Sequence, residues 1–450
     1  YKRQSYYRVI VSLCLFMFLL SPVFGDEISA VSFDKELPEN NIVTIQPDSL
    51  RILHNPLTGW VLYASMGVDA ADFWAQYDHM YIPELGHNVS VTDYAHTLYI
   101  RASWTDFNPQ EDVYGWKIDS NLRAYIEGAY QRNMRLAFRV VVDSRDKRTE
   151  FTPQFVKDAG AKGFMNKGKW SPYSDDSVFQ KYYTKFVKAL AKDFNAPSKV
   201  EFIDGFGLGK WGEYHTMIYS TGDDTPKKAV FDWVTDIYSQ AFDKVPVVIN
   251  YHRWIGAGKD WVDDEHFAAD SEEMLEEAIK KGYSLRHDAF GMTTYYGSWE
   301  RRFAKKYRNI CPIIMEGGWI VKSHSYWQDP RGYRKDSHED VRRGEFDDSK
   351  EAHVNMMDFR FGDTEFWFKD AFDLVRRFLR EGGYRLYPSE ISLPLEVSKK
   401  TTPTIKHCWN NMGWGYCPTN IPQWNQKYKV AFALLDSETN EVRYTFVAVS

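Results

Sequence analysis

Val200-Glu201-Phe202-Ile203-Asp204-Gly205-Phe206-Gly207-Leu208-Gly209-Lys210-Trp211-Gly212-Glu213-Tyr214-His215 reads as a strand, a tight turn and a cluster of functional side chains. The first half alternates like a strand, and the glycines let the backbone turn sharply. Trp211, Glu213, Tyr214 and His215 are then presented just past the strand's carboxyl end. Barrel enzymes keep their chemistry at that end. A second stretch has the same form: Cys311-Pro312-Ile313-Ile314-Met315 reads as a short buried strand, and Glu316-Gly317-Gly318-Trp319 follows it. Two strand-end glutamates, each beside glycine and tryptophan, suggest a carboxylate pair working on a sugar.

Strand and helix signals alternate on both sides of this stretch. Residues 61–63, 96–102 and 135–142 read as strands one to three, the last nearly all apolar as a parallel barrel strand should be. Residues 245–250, 284–288 and 311–315 read as strands five to seven, and 351–361 should contain strand eight. Amphipathic helices are expected over 120–132, 176–194, 227–242, 271–281, 298–307 and 365–380, with Ser271 as the cap of its helix. Eight alternations predict a (β/α)8 TIM barrel over residues 51–383. No phosphate-cradling glycine motif follows the first strand, which counts against a dinucleotide fold. From residue 384 the pattern becomes short alternating runs at 391–397, 404–409, 429–435 and 442–449, which predict a small antiparallel β-sandwich over 384–450. A complete sandwich usually needs about seven strands, so the expectation is that the chain stops inside this domain.

Composition narrows the partners. Aromatic residues make up 16% of the chain, with 16 Trp and 29 Tyr, and aromatic rings either fill cores or stack on the apolar faces of pyranoses. The net charge of -6 comes without long blocks of one sign, so neither nucleic acid nor an anionic membrane is favoured. Lys2, Arg3 and Arg8 precede an apolar run over 9–24, which reads as a signal peptide covering residues 1–25, with a polar leader over 26–50. The run is shorter than the roughly 20 apolar residues of a membrane span, so the expectation is an exported protein, periplasmic or extracellular. Cys408 and Cys417 share one loop-rich stretch, where a disulfide and two free thiols are both open readings, while Cys311 reads as a core thiol. No HExxH or CxxC motif is present, and no metal or other cofactor is expected.

Glycoside cleavage needs one carboxyl to protonate the leaving oxygen and another to attack the anomeric carbon or activate water. Glu213 and Glu316, after strands four and seven, face each other across a barrel mouth. Position offers supporting candidates. Arg101, ending strand two, could hydrogen-bond the nucleophile and keep it ionised, or form a core ion pair. Asn250 and His252 end strand five and could contact hydroxyls, with His215 reading as a loop hydrogen-bonder. Asp288, ending strand six, could bind sugar, raise a neighbour's pKa or form a structural salt bridge. Trp104, Trp211, Trp319, Tyr295 and Tyr296 could form sugar platforms or pack the core.

The motifs resemble clan GH-A of the retaining glycoside hydrolases, and more closely bacterial β-galactosidase-like barrels with a C-terminal sandwich, a group largely known only as domains of unknown function. The likeness covers about residues 52–450. It is carried by Asn55-Pro56 to Gly59-Trp60, Arg101 to Trp104 with Asn108-Pro109, Gly209 to His215, Arg286-His287-Asp288, Glu316 to Trp319, and Asn410 to Gly413. It implies Glu213 as acid/base and Glu316 as nucleophile. The Asn that usually precedes the clan's acid/base is Gly212 here. The expectation is therefore an exported retaining β-glycosidase acting on an oligo- or polysaccharide, a galactoside first. The alternatives are a catalytically silent carbohydrate-binding barrel and, in third place, a metal-dependent hydrolase using His215 and Asp288.

Overall fold

The computed structural model describes residues 7–10, 40–145, 149–258, 265–291, 295–318, 338–360, 362–395, 404–425 and 428–448. Eight parallel strands close into a barrel: β1 Gly59–Tyr63, β2 Ala95–Ser103, β3 Arg135–Val141, β4 Val200–Asp204, β5 Val247–Asn250, β6 Tyr283–Phe290, β7 Ile313–Gly317 and β8 Met356–Asp358. Each pairs with its successor, and β8 returns to β1, with Met356 opposite Gly59. The TIM barrel read from the sequence is the fold. Strand β7 runs on to Gly317, so Glu316 lies inside it.

The barrel interior has two layers with different chemistry. Val61, Tyr99, Ala137, Phe202, Val248, Ile314 and Met356, one from each of seven strands, pack into one buried apolar cluster. Side chains two residues apart on a strand share a face. Two positions further along those seven strands stand Tyr63, Arg101, Arg139, Asp204, Asn250, Glu316 and Asp358, and β6 adds Arg286 and Asp288. Register brings Arg101 opposite Arg139, Arg139 opposite Asp204, and Glu316 opposite Asp358. A polar layer therefore lies above the apolar one, at the carboxyl ends of the strands.

The surrounding helices follow their apolar stripes, and two depart from expectation. Asp176 caps Ser177–Phe194 by accepting from the Phe179 N–H, as a short polar residue before an apolar run should. Ser271, expected as a cap, instead lies inside Glu265–Lys280, buried, with its Oγ accepting from the Ile255 N–H at 2.9 Å. The closing helix is broken at Ala371 into Thr364–Asp370 and Phe372–Glu381. No helix of the described residues is long and apolar enough to cross a membrane.

Among the described residues, two three-stranded antiparallel sheets accompany the barrel, besides two short hairpins, Met80–Ile82 with His87–Val89 and Gly163–Asn166 with Lys169–Pro172. Leu386–Pro394 pairs with Lys406–Asn411 on one side and with Asn40–Thr44 on the other. Ala431–Asp436 pairs with Val442–Val447 and with Tyr7–Ile10. The stretch expected to be a plain leader thus contributes a strand. Cys408 and Cys417 are both free: Cys408 is exposed on its strand, while Cys417 is partly buried, so the two thiols occupy different environments.

The segment between these sheets floors the barrel. Leu57, Ile421 and Trp424 belong to the same inner apolar cluster, and Asn355 clamps Tyr416 from both sides, donating to its carbonyl at 2.8 Å and accepting from its N–H at 3.1 Å. Burying an indole here removes apolar surface from water that the barrel strands alone leave open. Trp424→Ala is expected to lower unfolding free energy by about 3–5 kcal/mol, read as a lower denaturant midpoint. An unchanged midpoint would mean the floor contributes nothing to barrel stability.

Candidate active site

Two arginines organise the polar layer. Arg139 is fully buried; its Nε donates to Asp204 Oδ2 at 2.5 Å, and its Nη1 pairs with Asp288 Oδ2 and lies 3.7 Å from Glu213 Oε1. Arg286, equally buried, donates from Nε to Asp288 Oδ1 at 2.7 Å. Its Nη2 donates at 3.2 Å both to Glu316 Oε2 and to Asp358 Oδ2. The Tyr99 hydroxyl donates to Asp204 at 3.0 Å from below. Glu213 thus meets Arg139 and Glu316 meets Arg286, with Asp288 bridging the two guanidinium groups.

Five buried carboxylates outnumber the arginines that reach them, Arg139 and Arg286 with Arg101 in the same layer and Arg360 beside Glu316, and such an excess favours a proton on one of them. Burial pushes the Glu316 carboxyl up to about 8, helped by the Asp288 charge beside it and opposed by Arg286. Burial also pushes Asp358 up to about 6, against Arg286. Asp288 goes the other way. Burial works to raise it, but Arg139 and Arg286 together hold it well below the usual carboxylate range, and it shares a side-chain hydrogen bond with Glu316. A hydrogen bond between two carboxyl groups requires a proton on one of them, and Glu316 is the one that keeps it.

The loop carrying Glu213 is fixed by its backbone. Gly207 has φ +79°, and a Cβ there would come within 2.1 Å of the Val140 carbonyl oxygen, so only glycine lets the chain leave β4 this way. Trp211, Gly212, Tyr214 and Thr216 all have positive φ, a concentration of left-handed backbone of the kind held at functional sites. Arg101 Nη2 donates to the Trp211 carbonyl at 2.7 Å, and the Gly256 N–H donates to that of Tyr214 at 2.8 Å. The Trp254 N–H donates to His252 Nδ1 at 3.1 Å, so Nε2 carries the hydrogen and donates to the Glu213 carbonyl at 2.7 Å. His215 Nε2 approaches the other Glu213 carboxylate oxygen, Oε2, at 3.4 Å.

Several sequence expectations change as a result. Arg101 holds the Trp211 carbonyl and the Tyr63 hydroxyl, and the arginine on Glu316 is Arg286. His252 anchors the Glu213 backbone. Trp104 is buried among Phe155, Phe179, Tyr183 and Phe186 behind the barrel wall, a core residue and no platform. Tyr296 packs on His287 and Phe290 outside the barrel, because the strand alternation that turns Arg286 and Asp288 inward turns His287 outward. Tyr295 lies against His215 and His252, with its ring stacked on Trp254. Trp211 is half-buried, edge-on to His215 with Lys210 over its face. Asn250 Oδ1 accepts from the Asp288 N–H at 3.1 Å, and its buried Nδ2 has no hydrogen-bond partner among the described residues. Asp288 combines two expected roles, salt bridge and pKa-raising neighbour. Trp319 lies outside the described residues.

Arg139, Asp204, Asp358 and Arg360 were given no role in the sequence reading; Arg360 Nε lies 3.9 Å from Glu316 Oε1. For Arg139, Asp204 and Asp358 the signal was present as a charged residue two positions after an apolar one near the strand's end. Among the described residues, no group of three or more His, Cys, Asp or Glu is arranged to hold a metal ion.

No protein-family model and no curated relative matches the chain. Solved structures do. Endo-glycoceramidase II from a Rhodococcus species aligns at 12% identity and TM-score 0.44 over 74% of this chain and 79% of its own. A Pseudomonas stutzeri endoglucanase aligns at 9% identity and TM-score 0.41 over 72% and 94%. An exo-β-1,4-mannosidase from an Opitutaceae bacterium aligns at 13% identity and TM-score 0.39 over 72% and 56%. At these values, the roles of Glu213 and Glu316 rest on this chain's own geometry.

Asp288→Asn removes the like charge beside Glu316 and frees Arg286 for it, so the Glu316 pKa is expected to fall below about 8. Carboxyl 13C titration of glutamate-labelled protein reads this, with the resonance assigned by its loss in Glu316→Gln. A midpoint that stays put or rises would contradict the account.

Proposed function

We propose that the chain hydrolyses β-glycosidic bonds of an oligo- or polysaccharide by retaining double displacement. The observation that carries this reading is the placement of Glu213 and Glu316 at the carboxyl ends of β4 and β7, one on Arg139 and the other on Arg286, with Asp288 joining the two arginines. In the mechanism, Glu316 first loses its proton to solvent; protonated Glu213 then gives its proton to the glycosidic oxygen as the Glu316 carboxylate attacks the anomeric carbon. The alcohol leaves, Glu213 takes a proton from water, and the resulting hydroxide displaces Glu316. Asn250 Nδ2, buried and without a hydrogen-bond partner among the described residues, offers a donor to a sugar hydroxyl, and half-buried Trp211 offers an apolar ring face. A β-galactoside is the first substrate class to try, from the motif resemblance. The basic and apolar N-terminal run supports export, which would bring the enzyme to an extracytoplasmic glycan.

The electrostatics favour one second reading. Burial and the Asp288 charge push Glu316 up to about 8, the range in which a carboxyl can serve as a general acid near neutral pH. In that exchange of roles Glu316 is the proton donor and Glu213 the nucleophile.

On a panel of p-nitrophenyl β-glycosides led by the galactoside, Glu213→Ala and Glu316→Ala are each expected to lower kcat/KM by on the order of 10³-fold. The pH profile separates the two assignments. If Glu316 attacks, it must first lose its proton, so kcat/KM rises with pH through about 8; if it donates, kcat/KM falls there. Glycan binding without hydrolysis of any member of a broad panel would leave the silent binding barrel as the better reading.

A further inference from the structure

The mechanism above leaves several fully buried carboxylates unused, Glu300, Glu345 and Asp348 among them. Glu345 lies on the helix His338–Glu351, outside the barrel wall, with no exposure to solvent. Its Oε1 accepts from the Gly318 N–H at 2.7 Å, and its Oε2 accepts from Arg342 Nη1 at 2.9 Å. Arg342 also pairs with Asp363 at 3.1 Å, Asp363 lies 4.0 Å from Arg360, and Arg360 lies 3.9 Å from Glu316. The chain of contacts leaves Glu316 through its carboxylate and returns to the backbone two residues after it. Two glycines leave the space Glu345 occupies. A Cβ at Gly317 would lie 3.1 Å from its carboxylate oxygens, and one at Gly291 would lie 3.2 Å from its Cγ.

A carboxylate accepting a backbone N–H in a water-free setting makes a charge-assisted hydrogen bond, stronger than a neutral one. Here the donor is the first amide beyond β7, so the bond fixes the direction in which the strand leaves the barrel. The Glu316 side chain springs from that same strand end.

We propose that Glu345 is a positioning residue for Glu316, holding the end of β7 through the Gly318 amide with Arg342 as its counter-ion. The proposal rests on Glu316 acting in catalysis only for its kinetic consequence; the structural consequence stands apart from that reading. Glu345→Gln keeps an acceptor for the Gly318 N–H, whereas Glu345→Met keeps length and burial but has none.

Hydrogen exchange over the peptide containing residues 313–318 is the activity-independent readout. Glu345→Met should lose protection there while Glu345→Gln retains most of it. On an aryl β-glycoside that the wild type cleaves, Glu345→Met should lower kcat on the order of 100-fold with KM little changed. Glu345→Gln should stay within about tenfold. Equal protection in wild type and Glu345→Met overturns the proposal, as does a full kcat per folded Glu345→Met molecule. A wild type inert on every glycoside, with the exchange result as expected, overturns the hydrolase reading and leaves the positioning of β7 in place. If Glu345→Met does not fold, Glu345→Gln with exchange unprotected at 313–318 overturns the proposal, and with protection kept supports it.

Discussion

Two guanidinium groups buried in the mouth of a barrel set the terms for everything around them. Taking an ion out of water costs several kcal/mol even after the protein relaxes, so Arg139 and Arg286 are tolerable only beside carboxylates. Asp204 and Asp288 supply the shared counter-charge, contacting both arginines. Glu213, Glu316 and Asp358 add three more carboxylates, and Arg101 and Arg360 stand near enough to offset part of that charge. A proton is held where burial and a like charge coincide, on Glu316. Acid–base chemistry in this site follows from that imbalance.

The rest of the chain serves to hold the layer dry and in register. Alternation along each strand sets the charged residues two positions beyond an apolar ring, so the ring seals them from below. Ile421 and Trp424 close the opposite end of that ring. Above, the loop after β4 is held by carbonyl contacts from Arg101, His252 and Gly256, which restrict Glu213 through its own backbone rather than its side chain. The side chain is left to Arg139 and His215.

Much of this was legible before any coordinates. Val200 to Asp204 and Ile313 to Met315 carry an apolar strand signal, and the glycines beyond them mark turns, so the barrel and the glutamate pair could be read directly. What escaped was spatial. Arg139 sits in a run of apolar residues and looks like an exception in a hydrophobic strand until β4 and β6 bring Asp204 and Asp288 to it. Arg101 on β2 and Arg286 on β6 are both strand arginines, and only the folded structure shows that it is Arg286 that reaches Glu316. Trp104 and Tyr296 follow strands as a sugar platform would, yet strand and loop direction turn both outward. Ser271 has the local sequence of a cap, and tertiary packing overrode it by burying its hydroxyl against the Ile255 amide. Asn40–Thr44 was too short and polar to be read as a strand without its partner.

The central claim is that Glu316, with its proton shed, forms a bond to the sugar while Glu213 manages the leaving group. Incubation with a 2-deoxy-2-fluoro-β-galactoside bearing a good leaving group, or the corresponding reagent for whichever glycoside is cleaved, would trap the intermediate for peptide mapping by mass spectrometry. The account predicts a single fluoroglycosyl group on the peptide containing Glu316, accumulating faster as pH rises through about 8. A label on Glu213 would contradict that assignment and establish the exchanged roles. Time-dependent turnover with no adduct on either glutamate would contradict the double displacement itself.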